Sequence, residues 1–192
     1  MKKLIFATHN KNKVNEVKAV FSAYDVLSLA DIDYHHDIPE TENTFVGNAL
    51  LKARHVFEIF RTPVFADDSG LEVTALGGAP GVYSARYAGE NKNHAKNNNK
   101  LLEALEKTTN REAQFKTIIA YVDGANEHTF EGVIKGKIAH HISGSGGFGY
   151  DPIFIPEGYD MTFGELPNAV KLQLSHRSRA IAKLCEYLNS KT

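Results

Sequence analysis

An α/β fold, with a mixed sheet, flanking helices and two lobes around a central cleft, is predicted by three features of this 192-residue chain. The chain opens as strand, polar loop, helix, strand. A long β-branched and aromatic stretch in its second half turns back on itself at Asp123-Gly124. Its composition, 42% hydrophobic and 23% charged, is that of a globular chain and not of a disordered one. A chain of this length buries roughly 70% of its unfolded surface and needs no staples. The 22 Lys and Arg against 23 Asp and Glu leave a net charge of -1, which excludes a strongly basic nucleic-acid wrapper but allows a local basic pocket. Cys185 is the only cysteine, so an intramolecular disulfide is impossible and a Cys-based zinc site is disfavoured. The apolar run at the N-terminus is too short for a signal peptide, and no segment approaches the roughly 18 apolar residues of a membrane span. The expectation is a soluble cytoplasmic protein without a nucleic-acid or membrane partner.

Leu4-Ile5-Phe6-Ala7 is apolar without alternation, as in a strand buried on both faces. Thr8 to Lys13 follows as a polar loop, then Val14, Val17, Phe21 and Tyr24 recur at helical spacing, and Val26 to Leu29 reads as the second strand. Residues 31–44 have no period and carry Asp31, Asp33, Asp37, Glu40 and Glu42 with His35 and His36, a functional or solvated loop. A helix is expected over Thr44 to Phe60, with Phe45, Ala49, Ala53, Val56 and Phe60 on one face and Thr62-Pro63 as its stop. Val64-Phe65-Ala66 is a short strand that ends in Asp67-Asp68-Ser69-Gly70, after which Leu71 and Val73 alternate. Gly77 to Gly81 is a turn-rich loop, and Lys92 to Lys107 a helix weakened at its start by Asn97-Asn98-Asn99. Phe115 to Val122 and Glu127 to Ile142 read as a strand and the returning strands of an antiparallel meander. A glycine-rich loop, Gly144 to Gly149, precedes Ile153-Phe154-Ile155, and Ile181, Leu184, Cys185 and Leu188 mark one face of the last helix. No repeat or linker divides the chain, so a single domain over residues 1–192 is expected.

Two segments suggest chemistry around phosphate. Thr8-His9-Asn10-Lys11-Asn12-Lys13 lies where a strand ends and a helix begins, so exposed N–H groups and the helix dipole favour an anion. Thr8 and Asn10 add neutral donors, and Lys11 and Lys13 add charge; the same residues would also make an ordinary capped helix start with solvated lysines. Asp67 and Asp68 are adjacent carboxylates that repel unless a cation or hydrogen bonds compensate. Mg²⁺ suits such a pair, with Glu40 and Glu42 as candidates to complete the site; a turn built on Asp-Ser-Gly is the plainer alternative.

Farther on, Lys171 and Ser175-His176-Arg177 are fit either to hydrogen-bond a base edge or phosphate, or to cap a helix. Phe148 and Tyr150 either stack on a base or belong to the core. Gly144-Ser145-Gly146-Gly147-Phe148-Gly149 matches a dinucleotide fingerprint literally, yet Tyr150-Asp151-Pro152 prevents the helix that must receive the pyrophosphate. There is no P-loop and no serine-nucleophile elbow. His35-His36 and His140-His141 lack partners for zinc, and Cys185 reads as core.

Six segments in order resemble the Ham1/RdgB family of inosine triphosphate pyrophosphatases: the Thr8 to Lys13 hexapeptide; Thr44-Phe45 with Asn48-Ala49 and Lys52-Ala53; Ala66 to Leu71; Gly77 to Tyr87; Gly146 to Pro152; and Ser175-His176-Arg177. The resemblance implies an elongated α/β protein, a homodimer with Mg²⁺ as cofactor, that converts ITP, dITP and XTP to the monophosphate and pyrophosphate. It implies that Thr8, Asn10 and Lys13 hold the triphosphate, with His9, Lys11 and Asn12 in the same substrate loop and Lys52 near the phosphates. Glu40 and Asp68 would bind the metal, and Asp68 would also activate the water, supported by Asp67. Ser69 would contact substrate, Phe148 would stack on the base, and Gly149, Tyr150 and Asp151 would shape its pocket. Lys171, His176 and Arg177 would close over the base, where Arg177, having donors only, pairs with a six-carbonyl and leaves adenine unmatched. Two departures stand out. Gly47 sits where the family often has Glu, a loss for which Glu42 is the candidate replacement, and His9 replaces a small residue. A Maf-type pyrophosphatase for modified pyrimidine nucleotides and a nucleotide-binding protein without catalysis are the rival readings.

Overall fold

The computed structural model describes residues 2–18, 21, 24–90 and 92–191. Its elements are β1 (Lys2–Phe6), α1 (Lys11–Lys18), β2 (Tyr24–Ser28), α2 (Phe45–Phe60), β3 (Val64–Val73), α3 (His94–Ala104), β4 (Glu112–Val122), β5 (Glu127–Ile138), β6 (Phe154–Pro156), α4 (Asn168–Leu174) and α5 (His176–Ser190). The strands form one sheet in the order β2-β1-β3-β4-β5-β6. β1 runs parallel to both β2 and β3, and β6 runs antiparallel to β5, so the sheet is mixed and the fold is the α/β class expected. No helix among the described residues is long and apolar enough to cross a membrane.

Contacts divide the chain into two compact units, each assembled from separated stretches. The first comprises Met1–Asp68, Thr117–Gly132 and Arg177–Thr192, and the second Ser69–Lys116 and Val133–His176. Each unit has its own apolar core. In the first, Leu4, Phe6, Val17, Val26, Phe65, Ile119, Ile181 and Leu184 cluster, with the Phe6 and Phe65 rings stacked at 4.5 Å. In the second, Leu71, Leu101, Phe115, Ile138, Ile153, Phe154 and Phe163 cluster, with Phe115 and Phe154 at 4.6 Å.

Helix α2 shows how local chemistry sets an element. Thr44 is extended and its Oγ1 accepts from the Gly47 N–H at 3.0 Å, so it caps the helix. Phe45, Ala49, Ala53 and Val56 form the buried face. Arg61 closes the helix in the left-handed conformation, its N–H donating to the Phe57 carbonyl. Thr44→Ala should cost about 1 kcal/mol, or about 2–4 °C of Tm for a chain of this size; thermal denaturation at fixed pH checks this, and an unchanged Tm would show that the cap is dispensable.

Several boundaries differ from the sequence reading. α1 begins at Lys11, so half of the polar hexapeptide is helical, and Tyr24 opens β2 where the spacing placed it on the helix; residues 19–20 and 22–23 lie outside the described residues. β3 does not end at Ala66 but continues to Val73, with Asp67 and Asp68 inside it. The Glu127 to Ile142 region forms one strand, which stops at Ile138. α3 is shorter than Lys92 to Lys107 because Asn93 caps it, its Oδ1 accepting from the Lys96 N–H at 3.0 Å. α4 was not anticipated; after Pro167 it is only seven residues long, too few to show a helical stripe.

Candidate active site

Successive side chains leave a strand on opposite faces, so Asp67 and Asp68 do not form one carboxylate pair. Asp67 is buried and receives Lys13 Nζ at 2.9 Å and Arg177 Nε at 3.2 Å. Lys13 comes from the first turn of α1 and Arg177 from the first turn of α5. Arg177 Nη1 also donates to Glu16, which lies one helical turn beyond Lys13 on α1 and is itself buried. Asp68, 5% exposed, accepts at Oδ2 from Asn48 Nδ2 at 3.0 Å, and Asn48 Oδ1 accepts the Glu42 backbone N–H at 3.0 Å. One turn along α2, Lys52 Nζ donates to Glu40 Oε1 at 2.5 Å. Asn48 and Lys52 therefore present one polar edge of α2 to Asp68 and to the acid-rich loop.

Electrostatics separate the two aspartates. Burial pushes the Asp67 carboxyl up, but Lys13, then Arg177 and Lys52, outweigh it and hold the group well below the usual carboxylate range. Burial also pushes Asp68 up, and there it prevails over Lys52, with Glu40 adding to the rise. Burial lowers Lys13 despite Asp67, whereas Glu40, Asp68 and Asp67 overcome burial at Lys52 and raise it. Glu40 is lowered: burial raises it but Lys52 wins.

The groups named so far comprise four carboxylates, Glu16, Glu40, Asp67 and Asp68, against three cations, Lys13, Lys52 and Arg177. Carboxylate oxygens such as those of Glu40 and Asp68 are the ligand type that a hard divalent cation takes. Among the described residues no group of three or more His, Cys, Asp or Glu stands ready to hold a metal. Mg²⁺ needs only one or two carboxylates when phosphate oxygens and water complete its shell. Glu40 and Asp68 thus fit an ion that arrives with a polyphosphate better than a resident one.

The rest of the hexapeptide is mostly occupied with structure. Asn10 Oδ1 accepts from the Asn12 N–H at 3.0 Å and the Lys13 N–H at 3.3 Å, and Thr8 Oγ1 accepts from the Asn10 N–H at 3.2 Å. This is the capped helix start. Lys11 and Asn12 are exposed, and His9 bonds the His36 carbonyl at 3.0 Å while stacking on Tyr34. Over Gly47, a Cβ would lie 2.7 Å from Glu42 Cβ and 3.1 Å from its Oε2, so Glu42 occupies the space that a side chain at position 47 would take.

In the second unit the glycine-rich loop is shaped around Asp151. Gly147 has φ of +72° and a Cβ there would strike Asp151 Oδ2 at 2.0 Å, so glycine is required on both counts. Asp151 is buried; its Oδ2 accepts the Phe148 N–H and Lys171 Nζ, each at 2.7 Å. The Lys171 ammonium also lies 4.3 Å from the Phe148 ring centroid. Gly149 follows, and Ser69 succeeds Asp68 in β3, both half-buried.

Three residues that the resemblance assigns to the base have the following partners within the fold. Tyr150 belongs to the core, with its Oη donating to the Ser84 carbonyl at 2.8 Å. The buried His176 ring stacks on Phe115 at 4.8 Å. Arg177 lies on Asp67 and Glu16, where two acids hold its donors. Sequence reasoning also passed over two residues that the structure makes prominent. Asn48 had a signal, its place in a quoted motif; the only hint for Glu16 was its position three residues after Lys13 on a helix.

A mixed α/β sheet carrying a buried lysine–carboxylate cluster and an aromatic loop under a lysine matches a known class: residues 4–187 match the Ham1 family, and the chain belongs to that family. Among its relatives it is similar to the dITP/XTP pyrophosphatase of Flavobacterium johnsoniae, at 50% identity over 98% of each chain, and to that of Porphyromonas gingivalis, at 51% over 98% of each. Among solved structures it is similar to the Ham1 protein of Staphylococcus aureus, with TM-score 0.91 and 42% identity over the whole of both chains. A HAM1 protein from Coxiella burnetii also superposes with TM-score 0.91, at 37% identity over 99% of this chain and all of that one.

Proposed function

We infer that this chain is a hydrolase of non-standard purine nucleoside triphosphates, converting dITP, ITP and XTP to the monophosphate and pyrophosphate. The observation that carries the reading is the buried cluster in which Lys13, Lys52, Asp67 and Asp68 are held by hydrogen bonds drawn from α1, α2 and α5. Lys13 and Lys52 supply positive charge for the polyphosphate. Asp67 keeps Lys13 and Arg177 charged and in place. Asp68 takes the proton of the attacking water; burial raises its basicity, and the Asn48 amide fixes its orientation. The water attacks the α-phosphorus, the bond from that phosphorus to the bridging oxygen breaks, and pyrophosphate leaves. A magnesium ion held by Glu40 and Asp68 would neutralise phosphate charge and ease deprotonation of the water. Phe148 offers a face for the base, with the Lys171 ammonium as a donor suited to a carbonyl and not to an amino group. The family resemblance further supports a cytoplasmic homodimer, which size-exclusion chromatography with light scattering would test.

Pyrophosphate release in Mg²⁺ should be measured over dITP, XTP, ATP, dTTP and UTP. The expected result is release from dITP and XTP with kcat/KM about 10²-fold or more above that for ATP. Preference for dTTP or UTP would favour the pyrimidine-directed rival, and nucleotide binding without release would leave a sensor.

A further inference from the structure

Both backbone polar groups of Gly149 are held by one face of helix α3. The Gly149 N–H donates to His94 Nδ1 at 2.6 Å, and Asn98 Nδ2 donates to the Gly149 carbonyl at 3.2 Å. His94 and Asn98 are four residues apart, the spacing that aligns two side chains along a helix. A backbone N–H can only donate, so the His94 Nδ1 is the unprotonated nitrogen of its ring. α3 is itself fixed to the preceding segment through Asn97, whose Nδ2 donates to the Ala85 carbonyl at 2.9 Å and whose Oδ1 accepts the Ala88 N–H at 2.7 Å. Gly149 has φ of +65° and sits between Phe148 and the core residue Tyr150. The clamp therefore fixes the loop one residue from the Phe148 ring.

A stability role accounts poorly for Asn98. It is buried, and its Oδ1 has no hydrogen-bond partner among the described residues, an arrangement that costs free energy. An aliphatic residue of similar size would avoid that cost, yet would free the Gly149 carbonyl. We propose that His94 and Asn98 are positioning residues that clamp the Gly149 peptide and so orient Phe148 toward the purine. This rests on the function proposed above, and it assigns to α3 a role in base recognition that none of the motif residues carries.

The test compares Asn98→Leu, His94→Phe and His94→Asn with the parent enzyme. Asn98→Leu removes the orphaned oxygen together with the clamp, so its Tm should be equal or higher. KM for dITP should rise about tenfold, the effect of one hydrogen bond, with kcat changed less than about twofold. His94→Phe should raise KM similarly, and His94→Asn, whose Oδ1 can still accept near the Nδ1 position, should restore most of it. Inhibition by free pyrophosphate should be the same in all four proteins. Unchanged KM in both disruptive variants, or weakening of pyrophosphate in step with dITP, would overturn the clamp, as would a Tm loss that accounts for the fall in activity. Failure of the parent enzyme to hydrolyse dITP or XTP would instead defeat the functional reading; IMP binding by calorimetry in the same variants would then decide the clamp by the same ratios.

Discussion

Asp68→Asn should lower dITP turnover by about 10³-fold or more while leaving nucleotide binding measurable and Tm unchanged or higher. General-base catalysis alone contributes roughly 10²–10⁴, and the same carboxylate is proposed to hold the metal. Asn is isosteric and its Oδ1 can still accept from Asn48 Nδ2, so the geometry described at 3.0 Å is preserved. What is lost is the ability to take a proton and the negative charge. The direction of the stability change follows from linkage. Burial raises the folded-state value of Asp68, so the folded protein holds that proton more tightly than the unfolded chain does. Above the unfolded aspartate value of about 4, the ionised group therefore opposes folding, and removing it at pH 8 relieves that opposition. Stopped turnover with a large fall in Tm would mark Asp68 as structural. Turnover within about tenfold of the parent enzyme would send the proton elsewhere.

That contrast between two neighbouring aspartates was not legible in the sequence, although much around it was. The apolar runs of β1 and β3, the stripe Phe45–Ala49–Ala53–Val56 and the Asp123-Gly124 turn are local patterns, and local patterns set local structure. Two aspartates in a row look like the end of a strand. Inside β3 Asp67 is met by cations from positions 54 and 110 residues away and Asp68 by the Asn48 amide 20 residues away, and no local window contains such partners. Asn10 shows the opposite case, in which the modest reading as a helix cap was the one the hydrogen bonds follow. Arg177 illustrates a third. The resemblance places its guanidinium over a purine; the ion pairs with Glu16 and Asp67, which the fold adds, come from residues far away in the sequence. Gly47 reads as a missing carboxylate in the sequence; in the fold it is the space that Glu42 fills.

Asp67→Asn should do the reverse of Asp68→Asn, with its main effect on folding. Lys13 Nζ and Arg177 Nε both terminate on this one carboxylate; Asp67 and Arg177 are buried and Lys13 is largely so. Removing one partner of a buried ion pair typically costs about 3–5 kcal/mol, because the remaining charge keeps its desolvation cost and loses its compensation. For a chain of this size that is a Tm loss on the order of 10 °C. Glu16 retains part of Arg177, so Glu16→Gln should cost less. The double variant, which strips Arg177 of both acids, should cost more than the two single losses added together. The penalty depends on pH. Lys13 and Arg177 keep Asp67 ionised far below the ordinary aspartate range despite its burial, so the advantage of the parent protein is complete above about pH 4 and is lost as the pH falls further. If Asp67→Asn is too unstable to purify, adding Lys13→Met removes one orphaned cation at similar volume and should recover several degrees, since apolar replacements of buried ions are often neutral or better. Denaturation curves of the parent protein and these four variants decide the matter. A tolerated Asp67→Asn, or no recovery on removing Lys13, would mean that the cluster does not hold α1 and α5 to β3 through this carboxylate.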